Sequence, residues 1–219
     1  MDIVFENRVD AGKKLAAALA KYRDGNCVVL ALPRGGVPVG AEIAAALHAP
    51  LDLLLVRKIG VPYHPELAMG AVVDGGAPIV VRNDEVIHAS RTSESAFNAV
   101  CTKELAEIER RRSLYLRGRQ PLDPKGRVAI VVDDGIATGA TMRAALRATR
   151  MRKPSRLVLA VPVAAHNTIE SLHKEVDDIV CLITPDDFGA VGYYYRDFAQ
   201  TEDSEVIALL ARPYTRATS

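Results

Sequence analysis

Val128-Ala-Ile-Val-Val-Asp-Asp-Gly-Ile-Ala-Thr-Gly-Ala-Thr141 is the stretch from which the rest of the 219-residue chain is read. Its apolar run, dominated by the β-branched Val128, Ile130, Val131 and Val132, has the pattern of a parallel strand buried on both faces. Two carboxylates, Asp133 and Asp134, end the run. A short loop, Ile136–Thr141, follows, and Met142–Arg150, rich in Ala, Leu and Arg, reads as a helix. In an open α/β sheet, ligands sit beyond the carboxyl ends of the strands. A glycine loop there lets backbone N–H groups approach an anion, the helix start favours negative charge, and the Thr138 and Thr141 hydroxyls add donors. The paired acids would repel a phosphate but accept hydrogen bonds from sugar hydroxyls. A phosphorylated sugar suits both halves of the stretch, whereas the bland alternative is a strand ending in a polar turn and a capped helix.

Ile130–Thr141 resembles the phosphoribosyl pyrophosphate (PRPP) signature of the type I phosphoribosyltransferases: an apolar run, two acids, two variable residues, then Ala-Thr-Gly-x-Thr. The resemblance implies an α/β, Rossmann-like fold of that family, with a central parallel β-sheet flanked by helices. It implies that Asp133 and Asp134 hold the ribose hydroxyls and sit near a Mg2+ ion that they contact indirectly. Ala137, Thr138, Gly139, Ala140 and Thr141 would then hold the 5′-phosphate.

Composition sets bounds around this reading. The length suits one large domain, 1–219, or one domain with an insertion, and 49% hydrophobic residues suffice for a core. Lys and Arg (28) nearly balance Asp and Glu (27), which argues against a general nucleic-acid binder. No apolar run approaches a membrane span and the first residues lack a signal-peptide pattern, so a cytoplasmic location is expected. Cys27, Cys101 and Cys181 are odd in number and widely spaced, as reduced small hydrophobes would be.

Upstream, Ala11–Tyr22 has apolar residues at helical spacing. Cys27–Leu32 then repeats the central architecture: an apolar strand, the loop Pro33-Arg-Gly-Gly-Val-Pro38, and a helix, Val39–Leu47. Vicinal glycines expose amides to an oxyanion, and Arg34 supplies a forked, permanent charge. By the family resemblance Arg34, Gly35 and Gly36 belong to the pyrophosphate loop, which in many members contains a cis peptide. Leu51–Val56 reads as the next strand, with Arg57 and Lys58 at its end, placed to neutralise pyrophosphate or simply to face solvent. Gly60–Pro65 suits a loop that covers the site, in the manner of the mobile loop that follows Arg-Lys-x-Gly in adenine phosphoribosyltransferases. His64, His166 and His173 read as surface or core residues.

Residues 59–120 depart from a minimal core and read as an inserted flap and helical hood. Ala68–Val73 and Pro78–Arg82 flank Asp74-Gly-Gly-Ala77 as a hairpin, and Ser93–Leu116 is a long amphipathic helix whose Arg110, Arg111 and Arg112 suit a solvated face. After the central helix, Arg156–Val163 and Asp178–Ile183 read as parallel strands around a helix, Asn167–Glu175. The segment 185–200 holds five of the chain's eleven aromatics. Phe188 or one of Tyr193–Tyr195 suits stacking on a flat base, while a cover for the sheet edge or a dimer interface serves those aromatics equally well. The segment loosely resembles the base-side loop of hypoxanthine-guanine phosphoribosyltransferases. Glu202–Arg212 reads as a terminal structural helix.

Ala137 stands where the 6-oxopurine enzymes of the family carry an aspartate, which tells against hypoxanthine, guanine or xanthine. Together with Val56-Arg-Lys-Ile-Gly60 and Pro65-Glu-Leu-Ala68, the chain most resembles the bacterial group called "putative phosphoribosyltransferases". The implied chemistry is Mg2+-dependent displacement at ribose C1, with a small-molecule acceptor and PRPP as partners and a place in nucleotide salvage; a homodimer is an assembly that the aromatic segment would allow. Lys58, Arg34, Asp133 and Asp134 are the expected catalytic residues. A non-catalytic PRPP-sensing regulator or binding module is the alternative. A dinucleotide-binding oxidoreductase, a P-loop nucleotidase and a triad hydrolase each lack their glycine signature.

Overall fold

The computed structural model describes residues 4–74 and 78–212. In chain order its elements are α1 (Arg8–Ala18), β1 (Cys27–Ala31), α2 (Gly36–Leu47), β2 (Leu51–Leu53), β3 (Val56–Val61), β4 (His64–Val73), β5 (Ile79–Arg82), α3 (Asp84–Ala89), α4 (Glu94–Leu116), β6 (Val128–Val132), α5 (Ala140–Met151), β7 (Arg156–Val163), α6 (His166–Leu172), β8 (Asp178–Ile183) and α7 (Asp203–Leu210).

The apolar runs form a five-stranded parallel sheet in the order β2-β1-β6-β7-β8. Alternate residues serve its two faces. Val28, Leu30, Ala129, Val131, Leu157 and Leu159 pack under α5 and α6, while Val29, Ile130, Val132, Val158 and Ala160 pack under α1 and α2. Both faces are covered, which is why these strands carry almost no polar residue. From β1 the chain crosses through α2 to β2 on one side; from β6 it crosses through α5 to β7 on the other. The connections therefore diverge between β1 and β6, and the crevice between their carboxyl ends is the switch point of the sheet. Ala31 pairs with Val132 there, so the loops after both strands start side by side.

A second, antiparallel sheet runs β3-β4-β5. Ile59, Met69 and Val72 bury one of its faces with Phe97, Cys101 and Ile108 of α4 and Val206 and Leu209 of α7. Ala71 and Val73 join the core shared with α5, so that helix lies between the two sheets. Among the described residues no helix is long and apolar enough to cross a membrane, and the three cysteines are free thiols.

Several boundaries differ from expectation. The strand expected over Leu51–Val56 ends at Leu53, and Arg57 and Lys58 lie inside β3 of the second sheet. Leu53 and Leu55 face one core and Leu54 the other, so the chain changes sheet inside a fully buried apolar run. Hydrophobicity alone carries no mark of that turn. Gly60–Pro65 is not an irregular loop but the tip of the β3–β4 hairpin, whose register shifts at Gly60; a Cβ there would meet the Pro65 carbonyl oxygen at 2.5 Å. The α2 helix starts at Gly36, and Pro38 falls in its first turn, where a missing N–H costs no hydrogen bond. The helix over Asn167–Glu175 is α6 continued by a short 3-10 turn. Helix α3 had no counterpart in the sequence reading. The hairpin of β4 and β5 is present; residues 75–77 of its expected turn lie outside the described residues.

Candidate phosphosugar site at the switch point

At the end of β6, Asp133 and Asp134 stand directly beneath the Gly35–Gly36 loop. A Cβ at Gly35 would overlap the Asp134 carboxylate, and one at Gly36 would meet the Val132 carbonyl oxygen at 2.8 Å and Asp133 Cα at 3.0 Å. Only glycines let the two loops nest this closely. The Leu32 amide donates to the Val132 carbonyl at 2.9 Å and the Gly36 amide to the Leu32 carbonyl at 3.0 Å, which fixes one loop against the other. The peptide bond between Pro33 and Arg34 is cis.

Burial, and next the adjacent Asp134 carboxylate, push Asp133 well above the usual carboxylate range. The Asp134 backbone N–H donates to Asp133 Oδ1 at 2.9 Å. Two further side chains hold Asp134: Arg8, which the sequence did not single out, and Tyr195, read there only as a stacking candidate and here buried with its hydroxyl on the Asp134 carbonyl. Arg8, the first residue of α1, donates from Nε to Asp134 Oδ2 at 2.7 Å and from Nη1 to the Ala199 carbonyl at 2.6 Å, with its guanidinium 3.9 Å from the centre of the Phe198 ring. Both side chains of the pair are largely buried, at 12% and 15% exposed. Tyr195 donates its hydroxyl to the Asp134 carbonyl at 2.7 Å, and burial, reinforced by the Asp134 charge, raises its phenol pKa far above normal.

Arg34 is also engaged from outside its loop. Its guanidinium lies 3.5 Å from Asp203 at the start of α7 and against the Gln200 amide. Tyr115, near the end of α4, donates to the same Asp203 carboxylate at 2.7 Å; burial first, and then this bond, push the phenol up to about 12. The long helix of the second unit and the last helix of the chain thus meet at the Arg34 loop.

The loop after the acids is pinned from below and open above. Ile136 bonds to the end of β7, its amide donating to the Val163 carbonyl at 3.0 Å, and Thr168 donates its hydroxyl to the Ala137 carbonyl at 2.6 Å. Gly139 has φ of +75°, a left-handed conformation that favours glycine, and a Cβ there would strike Thr168 Cγ2 at 2.7 Å. Gly35 and Gly139 precede α2 and α5 as their N-caps, with no side chain bonded to the first-turn amides, whereas Asn7 and Ser93 cap α1 and α4. In α2 the Gly36 and Val37 amides are bonded to the Leu32 and Arg34 carbonyls, whereas the start of α5, with Ala137, Thr138, Ala140 and Thr141 exposed around it, makes an anion cradle.

Of the other residues singled out in the sequence, Arg57 shares a small cleft with Pro33, Arg111 and Thr141, and its Nε donates to Glu104 at 2.7 Å. Lys58 points to Glu66 across the hairpin, at 2.9 Å, and is not in that cleft. Arg110 and Arg111 pair with Glu107 along α4. Phe188 borders a cavity of about 700 Å³ next to Ala137 and Thr138, while Tyr193 is 59% exposed and does not line it. His166 does line this cavity, although in the sequence it reads as a surface or core residue. The signal lay in its position at the end of a parallel strand beside the switch point, not in a metal-ligand spacing.

Among the described residues no three His, Cys, Asp or Glu side chains converge on one point. Two adjacent carboxylates suit a hard divalent cation that takes its remaining ligands from a substrate and water. Burial is the larger cause that raises Asp133, and the repulsion from Asp134 that adds to it is the kind that a cation relieves.

Residues 4–198 match the family described as Phosphoribosyl transferase domain. Two curated proteins of Mycobacterium tuberculosis, one each from strains CDC 1551 / Oshkosh and ATCC 25618 / H37Rv, carry the name "Putative phosphoribosyl transferase" and are 46% identical over 211 residues. The match takes in 96% of this chain and 47% of theirs, so the chain spans about half the length of these relatives. The crystal structure of TT1426 from Thermus thermophilus superposes with a TM-score of 0.83 at 41% identity, covering 94% of this chain and 97% of that one.

Proposed function

The chain belongs to the phosphoribosyl transferase domain family, and on that premise we propose that it moves the 5-phosphoribosyl group of PRPP to a nitrogenous acceptor other than a 6-oxopurine, releasing pyrophosphate. The observation that carries the reading is the nesting of Asp133 and Asp134 under the Gly35–Gly36 loop, beside the uncapped start of α5. Sugar hydroxyls and two separate phosphate groups are the ligand that such a juxtaposition suits.

In this reading Asp133 and Asp134 accept hydrogen bonds from the ribose 2′ and 3′ hydroxyls. Ala137–Thr141 hold the 5′-phosphate through backbone amides and the two threonine hydroxyls. Arg34 and the Gly35 amide hold pyrophosphate, and Gly36, its own amide bonded to the Leu32 carbonyl, seats the loop against Asp133. Asp133 and Asp134 are also the residues that would hold Mg2+, which when bound supplies positive charge beside the pyrophosphate oxygens. A lone pair on the acceptor nitrogen forms the N–C1 bond. The C1–O bond breaks, its electron pair leaving with pyrophosphate, and the proton displaced from the acceptor passes to pyrophosphate or water. Positioning and charge supply most of the barrier reduction in such a displacement.

The second sheet with α3 and α4, within residues 59–120 and reaching back to Val56, acts as flap and hood. The β3–β4 hairpin carries Lys58, which swings from Glu66 toward pyrophosphate as the flap closes. The segment 185–200 is the base-side loop, with Phe188 as its stacking face. Calorimetric titration with PRPP and Mg2+ tests the assignment: Asp134→Asn and Thr138→Ala are each expected to weaken binding about tenfold, or roughly 1.4 kcal/mol. Unchanged affinity in both variants overturns it.

A further inference from the structure

We infer that the acceptor is an amine-bearing heterocycle, one that presents N–H donors, and that heterocycles carrying a carboxylate are turned away. The inference takes its location from the transferase reading above and deepens it by naming the acceptor class.

The cavity beside the phosphate loop, about 700 Å³, opens on Ala137 and Thr138 at one end and on the loop after β8 at the other. That volume lies in the range of roughly 300–1,000 Å³ typical of small-molecule sites. An occupant has an aromatic face at hand in Phe188, whose ring is held in a stack with Tyr194 at 5.8 Å and 24°. A flat ring against Phe188 would have its edge among the polar groups of the wall.

Those polar groups are one-sided. Asp186 and Asp187 line the cavity, and no lysine or arginine does. Both residues are exposed, and among the described residues no ion pair reaches either carboxylate. The Asp187 backbone carbonyl receives the Tyr194 hydroxyl at 3.5 Å, which leaves the side chain free. A carboxylate only accepts hydrogen bonds, so this wall calls for N–H groups, as an exocyclic amine or a ring N–H supplies. His166 and Asn167 can each donate and accept, and so complement the mixed edge of an amino-heterocycle.

A ring with its own carboxylate meets the opposite situation. Its charge would enter a cavity that already holds two unpaired carboxylates and no cation. A unit charge several ångströms from another, at an effective dielectric between protein and water, is disfavoured by about tenfold in affinity. Ala137 removes the aspartate that the 6-oxopurine enzymes use, and the cavity wall adds this second restriction.

The test is direct binding, by isothermal titration calorimetry, of adenine and cytosine as amine-bearing probes and of orotate and nicotinate as carboxylate-bearing probes. Each is titrated with and without PRPP and Mg2+, into the wild-type chain and into the double variant Asp186→Asn, Asp187→Asn, which removes both charges at nearly constant size. The tighter amine-bearing probe is expected to bind wild type at least about tenfold more strongly than either carboxylate probe, and the double variant to narrow that ratio to roughly twofold. Equal or inverted preference in wild type, no binding of either amine-bearing probe, or a ratio the double variant leaves unaltered overturns the inference. PRPP binding, measured in the same titrations, separates the two readings. Its absence counts against the transferase, whatever the heterocycles do, while PRPP binding with an inverted heterocycle preference leaves the transferase standing and removes the acceptor class.

Discussion

At Gly35 the absence of a side chain is what lets the loop close on the acid pair, because the Asp134 carboxylate fills the space where a Cβ would stand. Gly35→Ala is therefore expected to displace Asp134 and weaken PRPP binding by about tenfold or more, the scale of an overpacked site; calorimetric titration reads it, and unchanged affinity would contradict the nesting. Arg8 supports the same carboxylate from the other side. Arg8→Gln breaks a largely buried ion pair and is expected to lower stability at neutral pH by about 1–3 kcal/mol in urea unfolding. Arg8→Lys should fail to restore it, since an ammonium cannot reproduce the two directed bonds to Asp134 and Ala199. The motif residues were legible because strand, acids and glycine loop are contiguous. Arg8 and Asp203 were not: their partners lie 126 and 169 positions away in the chain, and a lone arginine or aspartate at a helix start carries no sign of such a pairing.

Helices and strands of the parallel sheet were readable for a physical reason. A strand buried on both faces reads as a nearly continuous apolar run, and Val128–Val132 and Arg156–Val163 were found at the expected bounds, as was the half-buried edge strand Asp178–Ile183. The β3–β4 hairpin was not readable, because its glycine and two prolines match a loop and its pairing depends on the close approach of Gly60 to Pro65. That hairpin carries Lys58, whose pair with Glu66 is exposed and so contributes little to stability. Lys58→Ala should leave the urea midpoint nearly unchanged while lowering turnover at least about tenfold; normal turnover would remove Lys58 from the reaction. On the other side of the site, Glu175 ties the turn after α6 to Arg143 and Arg147 of α5, at 2.9 and 2.8 Å. The bond from Arg147 leads in holding its carboxyl below the usual value of 4.5, with Arg143 adding to it. A depressed folded-state pKa means that the contribution is complete above the unfolded value and is lost as pH falls through the lower folded one. Glu175→Gln should thus cost about 1 kcal/mol at pH 7. That difference from wild type should shrink toward zero in urea titrations carried well below pH 4.5. A gap that persists in acid would assign the loss to packing.

For the whole molecule, the sheet order places two glycine loops and an acid pair at one switch point, and the second sheet, α4 and α7 close around them. The composition pointed to one sizeable core and no general nucleic-acid partner; the family resemblance supplied the chemistry. What the sequence could not display was the cavity wall of Asp186, Asp187, His166 and Asn167, which forms only when the ends of β7 and β8 come together beside Thr138. The measurement that bears most directly on the central claim is pyrophosphate release by the purified chain with PRPP and Mg2+, across adenine, cytosine, guanine, hypoxanthine, xanthine, uracil, orotate, nicotinate and no acceptor. The account predicts release that depends on adenine or cytosine, the amine-bearing acceptors of the panel that are not 6-oxopurines, and disappears in Asp134→Asn. Silence across the panel, in a chain that still binds PRPP, would contradict it and move the weight to a sensor of PRPP or to an acceptor outside the common bases.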